Sequence, residues 1–133
     1  MIPKFRAYFE QYKRMIYSIG IVNQNMILVD FHDTGDTESL FITDRIHVMQ
    51  STGLFDKNGV EVFDGDIVNA YDTDRNEGQI YKTVNLTGVV TYRENAFCLK
   101  QGNVLNDLWV HSEEFEVIGN IYENPELLES VEG

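Results

Sequence analysis

Apolar residues recur along this chain in two rhythms. Near the start, Phe5, Tyr8, Tyr12, Met15 and Ile19 fall three or four residues apart, the spacing of one helix face. The same stretch also reads as two short strands, Lys4 to Tyr8 and Met15 to Val22, joined by the polar turn Glu10-Gln11-Tyr12-Lys13. Periodicity by itself slightly favours the helix. From Met15 onward the rhythm belongs to strands. Met15 to Val22 is rich in β-formers, Asn23-Gln24-Asn25 is a turn cluster, and Met26 to Phe31 reads as the returning strand of a hairpin. After a polar loop from His32 to Glu38, Leu40 to Thr43 and Ile46 to Met49 predict two more short strands.

The second part opens with Asp56-Lys57-Asn58-Gly59, whose Asn-Gly pair is the strongest local turn signal in the sequence. Asp64-Gly65-Asp66-Ile67-Val68 predicts a turn followed by entry into a strand, and Asp72 to Gly78 predicts a polar loop. Further strands fit Gln79 to Val84, Gly88 to Tyr92, Ala96 to Lys100, Leu108 to His111 and Phe115 to Ile118. Short strands at regular spacing predict a small barrel or sandwich. At the end, Asn124 suits a helix cap, Pro125 the first helical position and Glu126 the positive helix terminus, so a short helix is expected. The class is mostly β.

Composition supports an ordinary folded domain. Of 133 residues, 43% are apolar, with eight Phe, seven Tyr and one Trp, enough to build a core without disulfides or metal. The single cysteine, Cys98, sits in the run Ala96-Phe97-Cys98-Leu99 and is expected to be a buried, inert thiol. No run approaches the roughly 20 apolar residues of a spanning helix, and the first residues lack a signal-peptide pattern. A cytoplasmic protein without a membrane partner is expected.

Charge is distributed unevenly. The net value is −12, yet residues 1–50 carry five bases against six acids, whereas residues 51–133 carry five against sixteen. Seven glutamates and no base lie between Glu113 and Glu132. Such a surface repels phosphate backbones and suits basic partners, or simply keeps the chain soluble.

Several strings carry a family resemblance. Phe5-Arg6-Ala7, Gln50-Ser51-Thr52-Gly53-Leu54, Asp56-Lys57-Asn58-Gly59, Phe63-Asp64-Gly65-Asp66-Ile67-Val68 and the run Glu116 to Leu128, with Gly119-Asn120 and Asn124-Pro125 inside it, resemble the YopX family in that order. Together they bracket nearly the whole chain. The resemblance implies a phage or prophage origin. It also implies a β-rich N-terminal part over residues 1–50, then an SH3-like barrel with a C-terminal helical turn over residues 51–133. For the first segment it implies strand, turn, strand instead of a helix. Family members often carry Trp and Asp after Phe-Arg-Ala, where this chain has Tyr8 and Phe9. The recurring Gly53, Asn58, Gly59, Gly65, Asp66, Gly119, Asn120 and Pro125 are expected to have structural roles at turns and close approaches, and no catalytic residue comes with them.

Candidate chemistry is sparse. Asp72, Asp74 and Asn76 imitate the start of a calcium loop, but Glu77 and Thr83 stand where that loop needs Gly and a bidentate acid. His32, His47 and His111 lack a second His or Cys at metal spacing, and neither a nucleophile elbow nor a phosphate loop exists. No enzyme, cofactor or metal is expected. Lys4, Arg6, Lys13 and Arg14, interleaved with Phe5, Tyr8, Phe9 and Tyr12, form the one nucleic-acid candidate, of the kind that grips single strands. The leading expectation is a non-catalytic module that binds a host or phage protein, with a homo-oligomer also open. The alternatives are contact with nucleic acid through the N-terminal cluster, or mimicry of DNA by the acidic part.

Overall fold

The computed structural model describes residues 4–93, 96–106, 108–112 and 114–129; Glu113 and the acidic end, 130–133, lie outside them. The chain forms two compact units, Met1–Ser51 and Thr52–Gly133.

In the first unit, β1 (Phe5–Phe9), β2 (Arg14–Asn23), β3 (Met26–Val29), β4 (Glu38–Phe41) and β5 (Ile46–Phe55), which continues into the second unit, are antiparallel in the order β4-β3-β2-β1-β5. The opening segment is therefore strand, turn, strand. The helical spacing misleads because the chain reverses within it: Tyr12 N–H donates to Phe9 O at 3.2 Å, Lys13 takes a left-handed φ of 50°, and Phe9 pairs with Arg14. Alternation then sorts the side chains. Ala7, Phe9, Ile16, Ile27 and Val29 are buried together, with Phe31, Leu40, Ile42, Ile46 and Val48 packed around them.

In the second unit, β6 (Glu61–Phe63) lies beside β5, where Thr52 Oγ1 donates to Val62 O at 2.8 Å. The main sheet contains β7 (Asp66–Asn76), β8 (Gln79–Arg93), β9 (Ala96–Gln101), β10 (Val104–Asn106) and β11 (Glu114–Asn120) in the antiparallel order β10-β9-β8-β7-β11. Val62, Val68, Ala70, Val90, Leu99 and Trp109 are buried as its core. Trp109 Nε1–H donates to Phe97 O at 3.0 Å, and the indole stands edge-on to Phe115 with centroids 5.1 Å apart. Cys98 is buried there.

Four expectations change. Among the described residues the sheet is open, with β10 and β11 at its ends, so the barrel implied by resemblance does not close. Closure would need β10 to meet β11. Instead Leu108–His111, expected as a strand, is a 3-10 turn that delivers Trp109 to the core. The polar loop expected over Asp72 to Gly78 is mostly strand, because β7 runs to Asn76 and only Glu77-Gly78 turns. The expected C-terminal helical turn opens as a 3-10 turn, Pro125–Leu127, with Pro125 near its start and Leu128 and Glu129 helical after it, but its cap differs. Asn124 makes no side-chain cap bond there; its Oδ1 accepts the Asn120 N–H at 3.1 Å instead.

Candidate functional site

The first unit holds a cavity of 270 Å3 walled by Phe9, Tyr12, Phe31, Leu40, Phe41 and Ile46, with Glu38 and Arg45 also lining it. Two connections shape it. The β1–β2 turn is fixed to the turn before β5 by Glu10 N–H donating to Arg45 O at 3.0 Å, which brings Tyr12 over the opening. Phe31 is held from the other side by Arg14, whose Nη2 donates to its carbonyl at 2.8 Å.

The rings then interlock. Phe9 and Phe31 lie 5.4 Å apart, and Tyr12 meets Phe31 edge-on at 6.0 Å. Yet Tyr12 remains 59% exposed and Phe41 70% exposed. Large aromatic rings left this open around a concavity mark an interaction surface more often than a folding need. Beneath the site, the Asp30 carboxylate accepts the N–H groups of Thr34 (3.1 Å) and Gly35 (2.8 Å) and so shapes the loop after β3. Its pKa lies below the ordinary value, first because of the Gly35 amide, whose effect exceeds the opposing desolvation. His47 Nε2 meets Glu10 Oε1 at 2.7 Å on the β1–β5 side.

The four basic residues singled out in the sequence do not form one surface. Lys4 precedes β1 while Lys13 and Arg14 follow it, so the five-residue strand, roughly 17 Å long, separates them. Arg6 is 3% exposed, with its guanidinium 5.9 Å from the centre of the Tyr17 ring. Lys13 and Arg14 alone share a neighbourhood with the cavity.

The structural motif residues lie in turns and close contacts of the second unit. Asp66 Oδ2 accepts the Phe63 N–H at 2.7 Å across Gly65, whose φ is +88°. Gly53 and Gly59 also have positive φ, and Asn58 occupies the turn that the Gly59 N–H closes onto Asp56 O at 2.9 Å. Asn58 itself is not left-handed, so this turn differs from the tight hairpin expected; the two-residue left-handed turn is Glu77-Gly78. Asn120 Oδ1 accepts the N–H groups of Tyr122 and Glu123.

Two polar assemblies were not legible as such. The Asp56 carboxylate accepts three amides, including Val117 N–H from β11 at 2.9 Å. Lys57 Nζ donates to Tyr71 Oη at 2.7 Å, Tyr71 donates to Glu114 Oε2 at 2.9 Å, and Glu116 lies 3.7 Å from the same ammonium. The only sequence signal was Asp56-x-x-Gly59, and the second halves of both assemblies are about 60 residues away. The carboxylates of the calcium-like string stand on extended β7, about 7 Å from one to the next, so the backbone does not curl around an ion. A broader depression of 580 Å3 in the second unit, bordered by Val89, Thr91, Lys100, Asn103, Ile121 and Leu128, has no aromatic wall.

A scan of protein families matches the one described as YopX protein over residues 4–129. The chain belongs to the YopX family. A solved structure, the crystal structure of protein EF1440 from Enterococcus faecalis, is similar with a TM-score of 0.63 and 31% identity, covering 96% of this chain and 99% of that one. A search of curated proteins returned no match. Among the described residues, no helix is long and apolar enough to cross a membrane.

Proposed function

We propose that this YopX-family chain is a non-catalytic, protein-binding module of phage or prophage origin, and that the aromatic cavity of the first unit is where it grips its partner. The observation that carries the reading is the ring wall itself: Tyr12 and Phe41 stay open to water around a 270 Å3 cavity. That volume lies just below the roughly 300–1,000 Å3 of sites for drug-sized molecules, and it suits a single apolar side chain. β4 ends the strand order, so its outer ladder groups meet no strand among the described residues. An extended segment that adds to β4 would present every second side chain toward the cavity, with main-chain bonds giving affinity and the pocket giving selectivity. The second unit we read as an SH3-like sheet left open, with a scaffold role.

Selection of a displayed random-peptide library on the purified protein tests this. The expected outcome is enrichment of peptides sharing one large apolar residue, with binding lost in Phe41→Ser. Two results would replace the reading. One is binding of a labelled single strand that weakens steeply with salt and with Lys13→Ala, favouring nucleic acid contact through Tyr12, Lys13 and Arg14. The other is capture of a basic DNA-binding protein by wild type and Phe41→Ser alike, favouring mimicry by the acidic part.

A further inference from the structure

The β7–β8 hairpin outgrows its sheet. β11 pairs with β7 only from Asp66 to Tyr71, and β9 pairs with β8 only from Val89 to Arg93. Beyond these limits the hairpin continues, with Asp72 opposite Thr83 and Asn76 opposite Gln79. Its turn is built for the task. Glu77 and Gly78 have φ of 53° and 79°, and two positive φ angles give the turn whose twist matches that of paired strands. A two-stranded ribbon is nevertheless marginal in water without a further strand.

Among the described residues nothing pairs with the outer edge of β8 from Gln79 to Leu86. Proteins usually blunt such edges with proline, bulges or several charges. This stretch has no proline and one charge, Lys82, while Ile80 and Tyr81 near its tip are 63% and 47% exposed. Charge also narrows what can lie against it. The chain carries −12 in total, but all fifteen residues of β8 lack an acid, so two copies approach along this strand with the least repulsion.

We propose that the β8 edge pairs antiparallel with the same edge of a second copy about a two-fold axis, joining the two hairpins into one four-stranded sheet. The two-fold axis stands normal to the joined sheet and leaves each side chain on its own face, so paired residues differ by an even number, as when Tyr81 meets Tyr81 of the second copy and Ile80 meets its Lys82. The register that sets Lys82 against Lys82 would instead place like charges directly opposite each other. Because the contact is the same patch on both copies, it closes as a dimer and does not propagate into a fibre.

Sedimentation of the full chain over a wide concentration range tests the proposal, together with amide exchange at its two ends. The expected result is a concentration-dependent dimer in which amides of Gln79 to Leu86 gain protection. Ile80→Asp and Tyr81→Asp, both at exposed positions of β8, should each weaken it about tenfold or more. Trp109 emission confirms that each variant is folded, and Phe41→Ser should dimerise as wild type does, separating this contact from the aromatic cavity. A chain monomeric throughout, a dimer indifferent to both β8-edge variants, or protection gained at another edge instead would overturn the proposal.

Discussion

Removing the Asp56 carboxylate should destabilise the second unit more than any other change at a residue outside its apolar core. Asp56 is 6% exposed, and its two oxygens accept the amides of Asn58 (2.9 Å), Val60 (2.8 Å) and Val117 (2.9 Å). The first two hold the turn after β5; the third ties that turn to β11. A bond to a charged acceptor contributes about 1.5–3 kcal/mol, but in Asp56→Ala the two turn amides can turn to water, whereas the Val117 amide sits in a strand. The net loss works out at about 2–4 kcal/mol, against the 5–15 kcal/mol that holds a typical domain together. Asp56→Asn keeps the shape but turns a donor toward an amide, and should lose less. Guanidinium unfolding followed by emission of the single, buried Trp109 reads this unit directly. The pH dependence supplies a second check. Burial pushes the Asp56 pKa up, and the three amides with nearby Lys57 outweigh it and bring the value below 3.8. Between the lower folded pKa and the unfolded value of about 3.9 the unfolded chain binds more protons. The Asp56 contribution is therefore complete above the unfolded value and disappears as pH falls through the folded one; Asp56→Asn should lack that acid limb. A change below about 0.5 kcal/mol in Asp56→Ala, the size of an ordinary surface substitution, would refute the reasoning.

Three further outcomes are expected. Gly119→Ala would place a methyl 2.7 Å from Asn124 Oδ1 and 2.8 Å from Leu127 Cδ1, so thermal unfolding should show a loss of about 1–3 kcal/mol; an unchanged Tm would contradict the close approach. In an NMR titration the Gly35 amide should shift with a midpoint below 3.8, following Asp30, and Asp30→Ala should abolish the shift and speed exchange at Thr34 and Gly35. The Lys57 ammonium titrates above its usual 10.5, first through the Tyr71 hydroxyl and then, against desolvation, through Glu116. Tyr71→Phe should bring that midpoint down, and a midpoint that stays in place would show that the hydroxyl does not hold the proton on.

The sequence reached as far as local physics reaches. The apolar run Met26–Val29 after a turn cluster and the β-formers of Met15–Val22 mark strands by residue type, and the structure places β3 and β2 there, burying every second residue of β3. Elsewhere local signals competed. Phe5 to Ile19 fits a helix face by spacing, and only the pairing of Phe9 with Arg14 and of Phe5 with Gln50 makes it two strands. Asp72 to Gly78 looks like a solvated loop because its composition is polar; its partner β8 supplies the ladder that holds it extended.

The aromatic cavity shows the same division. Its rings were each visible in the sequence, but Phe9 with Tyr12, Phe31 and Phe41 come from three places in the chain and meet only when β1 with its turn, the loop after β3, and β4 are assembled. Arg6 belonged by sequence to an exposed basic cluster, and burial removed it. The sequence by itself therefore determined the β class, the family and the turns at Asp56–Gly59 and Gly65, since these depend on alternation and on backbone conformations that few residues adopt. Only the tertiary structure decided that, among the described residues, the second sheet stays open, which rings remain exposed, and that no strand pairs with the outer edge of β8. These depend on contacts between residues far apart in sequence, whose side chains carry no local sign of the partner they will meet.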